Sequence, residues 1–219
     1  MTVPVSQKIY HILHVDRLAS VLADGCLWCD AEIARRAPPG TTIGMNSIKQ
    51  RRLNELTLAS HPGLYVGECV PFYFCPRSIM LYVISCGNHN ELAYTGGQQP
   101  IIHLESDLRQ VVAWADENDR RWAFTTSNAG SRFFDDYADL GELTRLNWSA
   151  IQTNHWGGSG VDLSIKEGKQ AEFLIEHSFP WHLVERIGVI NNTIYTQVVH
   201  ALAGAVHRPP VEVRRDWYY

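Results

Sequence analysis

Gln170 and Glu172 stand two apart in residues 169–181, KQAEFLIEHSFPW. Phe173, Leu174 and Ile175 make this stretch a predicted strand, and side chains two apart on a strand share a face. A carboxylate and an amide facing one ligand can bind a ribose hydroxyl and hold a base beside a reacting carbon, which suits chemistry at a glycosidic bond. The competing reading is structural: two polar residues along an exposed strand edge.

Other residues could join them. His11 lies within the apolar run IYHIL at 9–13, where it is either a packed core histidine or a ligand-facing group at the end of a strand. Tyr73 and Arg77 are the polar exceptions in CVPFYFCPRSIMLYVI, residues 69–84, and could meet a nucleotide by stacking and by phosphate pairing. Basic groups gather at Arg35-Arg36, at Lys49 with Arg51 and Arg52, at Lys166 with Lys169, and at Arg214-Arg215. Such clusters are ordinarily solvated faces unless they adjoin a cleft. Cys26 and Cys29 form a C-x-x-C, but no second pair completes a zinc set and no thioredoxin-like frame surrounds it. Reduced structural thiols and no metal are therefore expected.

The elements that must position these groups follow from pattern. Residues 9–13 read as a strand; Asp16 is expected to cap a helix carrying Leu18, Val21 and Leu22, closed by Gly25. A helix is predicted over 47–56, extended segments over 70–74 and 81–84, and a strand over 101–104. Leu108, Val111, Val112 and Ala115 make an amphipathic helix, followed by a strand at 123–125 and a polar loop, TSNAGSRFF. Residues 148–164 hold two tryptophans and a run of glycines without phosphate-loop spacing, and read as a mobile loop before the 169–181 strand. A strand at 186–190, a helix at 193–205 and a strand at 211–213 complete the chain. Strands and helices mix without regular alternation, which favours α+β over a doubly wound fold. No repeat or linker divides residues 1–219, so one domain is expected.

The totals exclude some functions. A net charge of -4 argues against a duplex-DNA binder that relies on a global basic field, leaving only local nucleic-acid contacts. Neither a signal peptide nor an apolar run of membrane-spanning length is legible, so a cytoplasmic protein with no membrane contact is expected.

IYHILHVDRL, IKQRR, VPFYFCPRSIMLY, GGQQPIIHL, KQAEFLIEHSFPW and the terminal RRDWYY together make the chain resemble, almost end to end, the DarT family of bacterial toxins. These are ADP-ribosyltransferases acting on bases in single-stranded DNA. The resemblance implies the split-sheet ADP-ribosyltransferase fold, with a central NAD cleft and peripheral helices. It makes Glu172 the catalytic glutamate and Arg52 the catalytic arginine, with Arg51 beside it leaving the placement open by one residue. His11, Tyr73 and Arg77 would bind NAD as co-substrate, together with Leu13, which stands where many relatives carry a hydroxyl residue. Lys49, Arg51, Lys166, Lys169 and Gln170, with the loop 125–132, would frame the mouth for single-stranded DNA. A macrodomain antitoxin is the implied partner and the bacterial cytoplasm the implied location. Thymine is the favoured target, with guanine in DNA, RNA or protein as alternatives. A non-catalytic NAD- or nucleotide-binding module is the alternative outside enzymology, and a zinc-binding protein built on Cys26 and Cys29 a more distant one.

Overall fold

The structure, a computed structural model, describes residues 3–219. In chain order its elements are β1 (Lys8–His14), α1 (Leu18–Asp24), β2 (Cys26–Trp28), α2 (Asp30–Arg36), α3 (Asn46–Asn54), β3 (Cys69–Tyr73), α4 (Ile79–Cys86), β4 (Ile101–Asp107) and α5 (Leu108–Glu117). They continue with β5 (Trp122–Thr125), β6 (Asp136–Tyr137), α6 (Trp148–Gln152), α7 (Leu163–Gly168), β7 (Glu172–Glu176), β8 (Ser178–Pro180), β9 (Arg186–Val189), α8 (Asn192–Ala201) and β10 (Val211–Val213). The α+β class agrees with the sequence reading.

Eight strands form one sheet in the order β10-β9-β4-β1-β3-β7-β5-β6, and β2 pairs with β8 in a small second sheet. Only β9·β10 is parallel in the large sheet. The ladder is dense on both sides of the middle and thin within it. β1 pairs with β4 from Lys8↔Asp107 to His14↔Ile101, and β3 with β7 from Cys69↔Glu176 to Tyr73↔Glu172. Between these halves β1 and β3 share the single rung Tyr10↔Tyr73. Where the ladder would continue, the His11 ring instead reaches across, with Nδ1 2.7 Å from the Pro71 carbonyl. The sheet is split there, and a cleft enters it.

Strand β7 is buried on both faces. Phe173 and Ile175 join the main core with Val70 and Phe72, while Leu174 packs in a second cluster with Leu56, Leu64, Val66 and Ala123. Glu172, two residues before Leu174, therefore points to the side of the sheet where the segment after α3 is packed. Helix α3 is seated by a close approach: a Cβ on Gly67 would stand 2.8 Å from the Leu53 Cα, so only glycine lets the helix lie so near the backbone.

Several expectations are corrected. Residues 81–84 are helical, inside α4, because the Ser78 side chain accepts from the Leu81 N–H and Gly87 closes the helix at φ 61°. A short apolar run fits a buried helix as well as a strand. Residues 169–181 are not one strand: Gln170 lies in the turn after α7, with its N–H on the Glu167 carbonyl, and His177 at φ 67° separates β7 from β8. Asp16 does not cap α1; its carboxylate holds Thr41, accepting from both the backbone N–H and the hydroxyl. Residues 148–164, expected to be loop throughout, begin with α6 and end in α7. No helix among the described residues is long and apolar enough to cross a membrane.

His103 on β4 is fully buried against Trp217 and Tyr218, with Nε2 3.0 Å from the Pro76 carbonyl and Nδ1 unpartnered. Burial lowers this imidazole to about 4, because the charged ring would sit out of water. Its neutral form is thus favoured by folding, and that stability is complete above the ordinary histidine range and lost as pH falls from about 6.5 to about 4. Urea unfolding at pH 7.5 and pH 4.5 is expected to show His103→Gln losing up to about 3 kcal/mol less than wild type across this window.

Candidate active site

The cleft at the split has a volume of about 260 Å³, and its walls include His11, Leu13, Asp30, Lys49, Tyr73 and Asn128. Arg52 and Glu172 lie at its inner end, both almost fully buried, with Arg52 Nη1 donating to Glu172 Oε2 at 2.9 Å. One group comes from α3 and the other from the first position of β7. Neither charge could be buried alone at tolerable cost.

Glu172 is held from three directions, two at its carboxylate and one at its backbone. Its Oε1 accepts from the Ala129 N–H at 3.0 Å, and the Glu172 N–H donates to Thr125 Oγ1 at 3.1 Å. Thr125 in turn donates to the Ser127 carbonyl at 2.6 Å, which fixes the start of the loop that supplies Ala129. Each carboxylate oxygen keeps lone pairs beyond the bond it accepts, so the group can still receive a proton or face a developing cation.

Arg52 is less satisfied. Its Nε and Nη2 are buried without a partner, although such groups are costly to leave unpaired. Burial alone would lower the guanidinium, but the charges of Glu172 and Asp30 outweigh it and hold Arg52 above its ordinary value. The unpaired N–H groups and the remaining lone pairs of Glu172 make the inner cleft a site for a ligand rich in acceptors and hydroxyls. A diphosphate-bearing dinucleotide such as NAD meets that description.

The other cleft groups stay uncharged or paired. Burial lowers His11, which leaves a neutral ring able to donate to Pro71. Burial, then the nearby Glu172 charge, pushes the Tyr73 phenol well above its usual range. Lys49 Nζ sits 2.8 Å from Asp30 Oδ1 at the mouth, a pair whose members can separate when a ligand offers either a better partner.

Of the adjacent arginines, Arg52 meets Glu172, while Arg51 turns away and donates Nη1 to the Gly130 carbonyl at 2.9 Å. Gln170 does not share a strand face with Glu172. Its Oε1 accepts from Asn128 and its Nε2 donates to the Lys166 carbonyl, so both ends are engaged internally. The Lys169 ammonium is buried, donating to the Ile151 and Thr153 carbonyls at 2.7 and 2.8 Å. Lys166 is half-buried on α7. Arg77 does not reach the cleft; its guanidinium lies 4.3 Å over the Tyr219 ring. Among the described residues no three of His, Cys, Asp and Glu gather as metal ligands, and Cys26 and Cys29 are free thiols.

Asp30, Thr125, Asn128 and the Ala129 N–H were not individually legible as site groups. The only signal for the last three was the short polar tract before Phe133-Phe134. A backbone donor carries no sequence mark at all.

The model of one protein family, described as ssDNA thymidine ADP-ribosyltransferase, DarT, matches residues 10–219. The chain belongs to the DarT family. It is 38% identical over 218 residues to a DNA ADP-ribosyl transferase of Thermus aquaticus, covering 99% of this chain and 90% of that protein. Among solved structures it is similar to Thermus sp. 2.9 DarT in complex with ADP-ribosylated ssDNA, with a TM-score of 0.87 and 35% identity, covering 100% of this chain and 99% of the other. The same DarT in complex with NAD+ gives a TM-score of 0.82 at 34% identity, covering 100% of each. The likeness covers the whole of this chain, so its overall fold is that of the DarT structures.

Arg52→Met would leave the buried Glu172 carboxylate with its backbone donor alone. Denaturation should show a loss of about 3–5 kcal/mol, the usual consequence of breaking a buried pair by removing one member. Arg52→Lys should recover part of that stability, since it restores the charge but not the fork.

Proposed function

We propose that this chain transfers ADP-ribose from NAD to thymine in single-stranded DNA, with Glu172 and Arg52 as its catalytic residues. The observation that carries the proposal is the buried Arg52–Glu172 pair, aligned by Ala129 and Thr125 at the inner end of a cleft in a DarT fold. NAD would supply an ADP-ribosyl group whose bond to nicotinamide is already weakened by the charged ring.

As that bond breaks, positive charge grows on the ribose carbon. A fixed carboxylate in a site shielded from water stabilises that charge most when it is greatest. Glu172 needs no reorganisation for this, because its two oxygens are already anchored by Arg52 and Ala129. The new bond forms between the ribose carbon and a ring nitrogen of the base, which must lose its proton; Glu172 accepts it. Arg52 offers its unpaired Nε and Nη2 hydrogens to the dinucleotide's acceptors. His11 and Tyr73, with Leu13, line the same cleft and would contact NAD.

The base must arrive unstacked. A single strand presents one at little cost, whereas a duplex base must be flipped at a few kcal/mol. Lys49, Arg51 and Lys166, with the loop 125–132, would shape the approach, and Gln170 and Lys169 would hold the loop 153–162 and α7 in place from within. The family implies action as a toxin in the bacterial cytoplasm, countered by a macrodomain antitoxin.

Incubation with NAD and matched oligonucleotides, read by mass spectrometry, tests the proposal. One ADP-ribosyl group on thymine of a single strand is expected, with little or none on the duplex, on guanine-only strands or on RNA; no adduct on any thymine-containing strand would sink it. Glu172→Gln should lower transfer by about 10²–10⁴ while NAD still raises the melting temperature, as a ligand of the folded state must.

A further inference from the structure

A second cavity, of about 500 Å³, opens just past the rung that carries Glu172. Its walls include Tyr10 and Phe74, the chain neighbours of the cleft residues His11 and Tyr73. Tyr10 and Tyr73 share the one rung between β1 and β3, so the two cavities adjoin at the split of the sheet. Beyond the Tyr73↔Glu172 rung, the chain leaving β3 bends through to Arg77 and β7 is preceded by Lys169, and both residues line the second cavity.

The charges there do not balance. Lys8 is matched by Asp107 and Glu185, and Asp216 by Arg214. Arg77 and Lys169 face no carboxylate among the described residues. Lys169 gives two of its three hydrogens to carbonyls, but Arg77 Nε is buried with no partner. In a chain of net charge -4, two uncompensated cations on one concavity make a local anion-attracting field.

Arg77 is also held ready. Its guanidinium stacks on Tyr219, whose hydroxyl donates to the Arg77 carbonyl at 2.9 Å and lies 3.2 Å from Trp156 Nε1. Stacking fixes the plane and leaves the edge of the fork free, the arrangement suited to two oxygens of one phosphate. Lys169 stands three positions before Glu172, at most about 10 Å of chain. A strand placing one base at Glu172 thus has a flanking phosphate within reach.

We propose that this cavity is a subsite for a backbone phosphate of the single strand, next to the modified base, with Arg77 as its anchor. It rests on the function proposed above. Arg77 then acts on the nucleic acid and not on NAD, whose candidate cleft it does not line.

Three quantities measured on the full chain test this: NAD affinity, the KM for a single-stranded oligonucleotide in transfer, and the salt dependence of strand binding by fluorescence anisotropy. Arg77→Gln is expected to leave NAD affinity within about twofold and raise the strand KM about tenfold, the loss of one charge-assisted bond. The slope of log affinity against log salt should become shallower by about 0.7, the share of one single-strand phosphate. Asn154, exposed at the rim, gives a variant pair that does not disturb buried groups: Asn154→Asp should weaken strand binding and Asn154→Lys strengthen it. Unchanged strand binding and salt slope in Arg77→Gln, or no opposite effects at Asn154, would overturn the subsite. So would a fall in NAD affinity matching the rise in strand KM. Absence of any adduct with the wild type would count against the transferase and not the subsite, because anisotropy reads strand binding without turnover.

Discussion

The ion pair between Arg52 and Glu172 is the constraint around which the molecule is arranged. A guanidinium and a carboxylate taken out of water must meet in good geometry or the fold loses several kcal/mol. Everything that brings them together is therefore structural as well as functional: Gly67 admits α3, Thr125 and Ala129 set the carboxylate, and the flanking apolar residues of β7 hold its strand in the middle of the sheet. The pair is also incomplete by design of its surroundings. Arg52 retains unpaired donors, so the same desolvation that makes the pair necessary makes a ligand welcome.

The split in the sheet gives that ligand access. A continuous ladder between β1 and β3 would close the cleft with backbone hydrogen bonds. One rung and one histidine bond take its place, and the interior of the sheet opens there without exposing its apolar strands. The loop before β7 is then fixed at its base from inside. Lys169 binds carbonyls at the C-terminal end of α6, where the helix dipole favours a cation, and Gln170 ties the end of α7 to Asn128. Loop residues far from these anchors are free to vary while Glu172 keeps its place.

Much of this was legible in the sequence. Alternation and apolar runs located β1, β4, β5, β9 and β10, and the helix α5 followed from Leu108, Val111, Val112 and Ala115. The motifs around Arg52, Tyr73 and Glu172 carried the family resemblance, which fold comparison and the family model now support. The failures have physical causes. Part of α4 reads as a strand in the sequence because the apolar run from Ile79 to Ile84 has no readable period, and its caps, Ser78 and Gly87, carry the helix signal. Gln170 was placed on the strand because register counted backwards from Phe173 ignores a helix ending at Gly168. The family motif predicts Arg77 in the cleft, yet the chain bends away where β3 ends at Tyr73, and the guanidinium stacks on Tyr219. Contacts between residues far apart in sequence leave no local trace.

The separation between Arg52 and Glu172 has a consequence for how the protein is made. Strand β7 pairs with both β3 and β5, so the centre of the sheet is supplied by one of the later strands of the chain. During synthesis the ribosome releases β1, β3, β4 and β5 before the strand that joins them, and until β7 emerges β3 and β5 each keep an open edge. A nascent chain therefore holds no assembled carboxylate–guanidinium site, and catalytic competence arrives in a single late event when β7 docks. For an enzyme that modifies single-stranded DNA, the order of translation is itself a delay on activity.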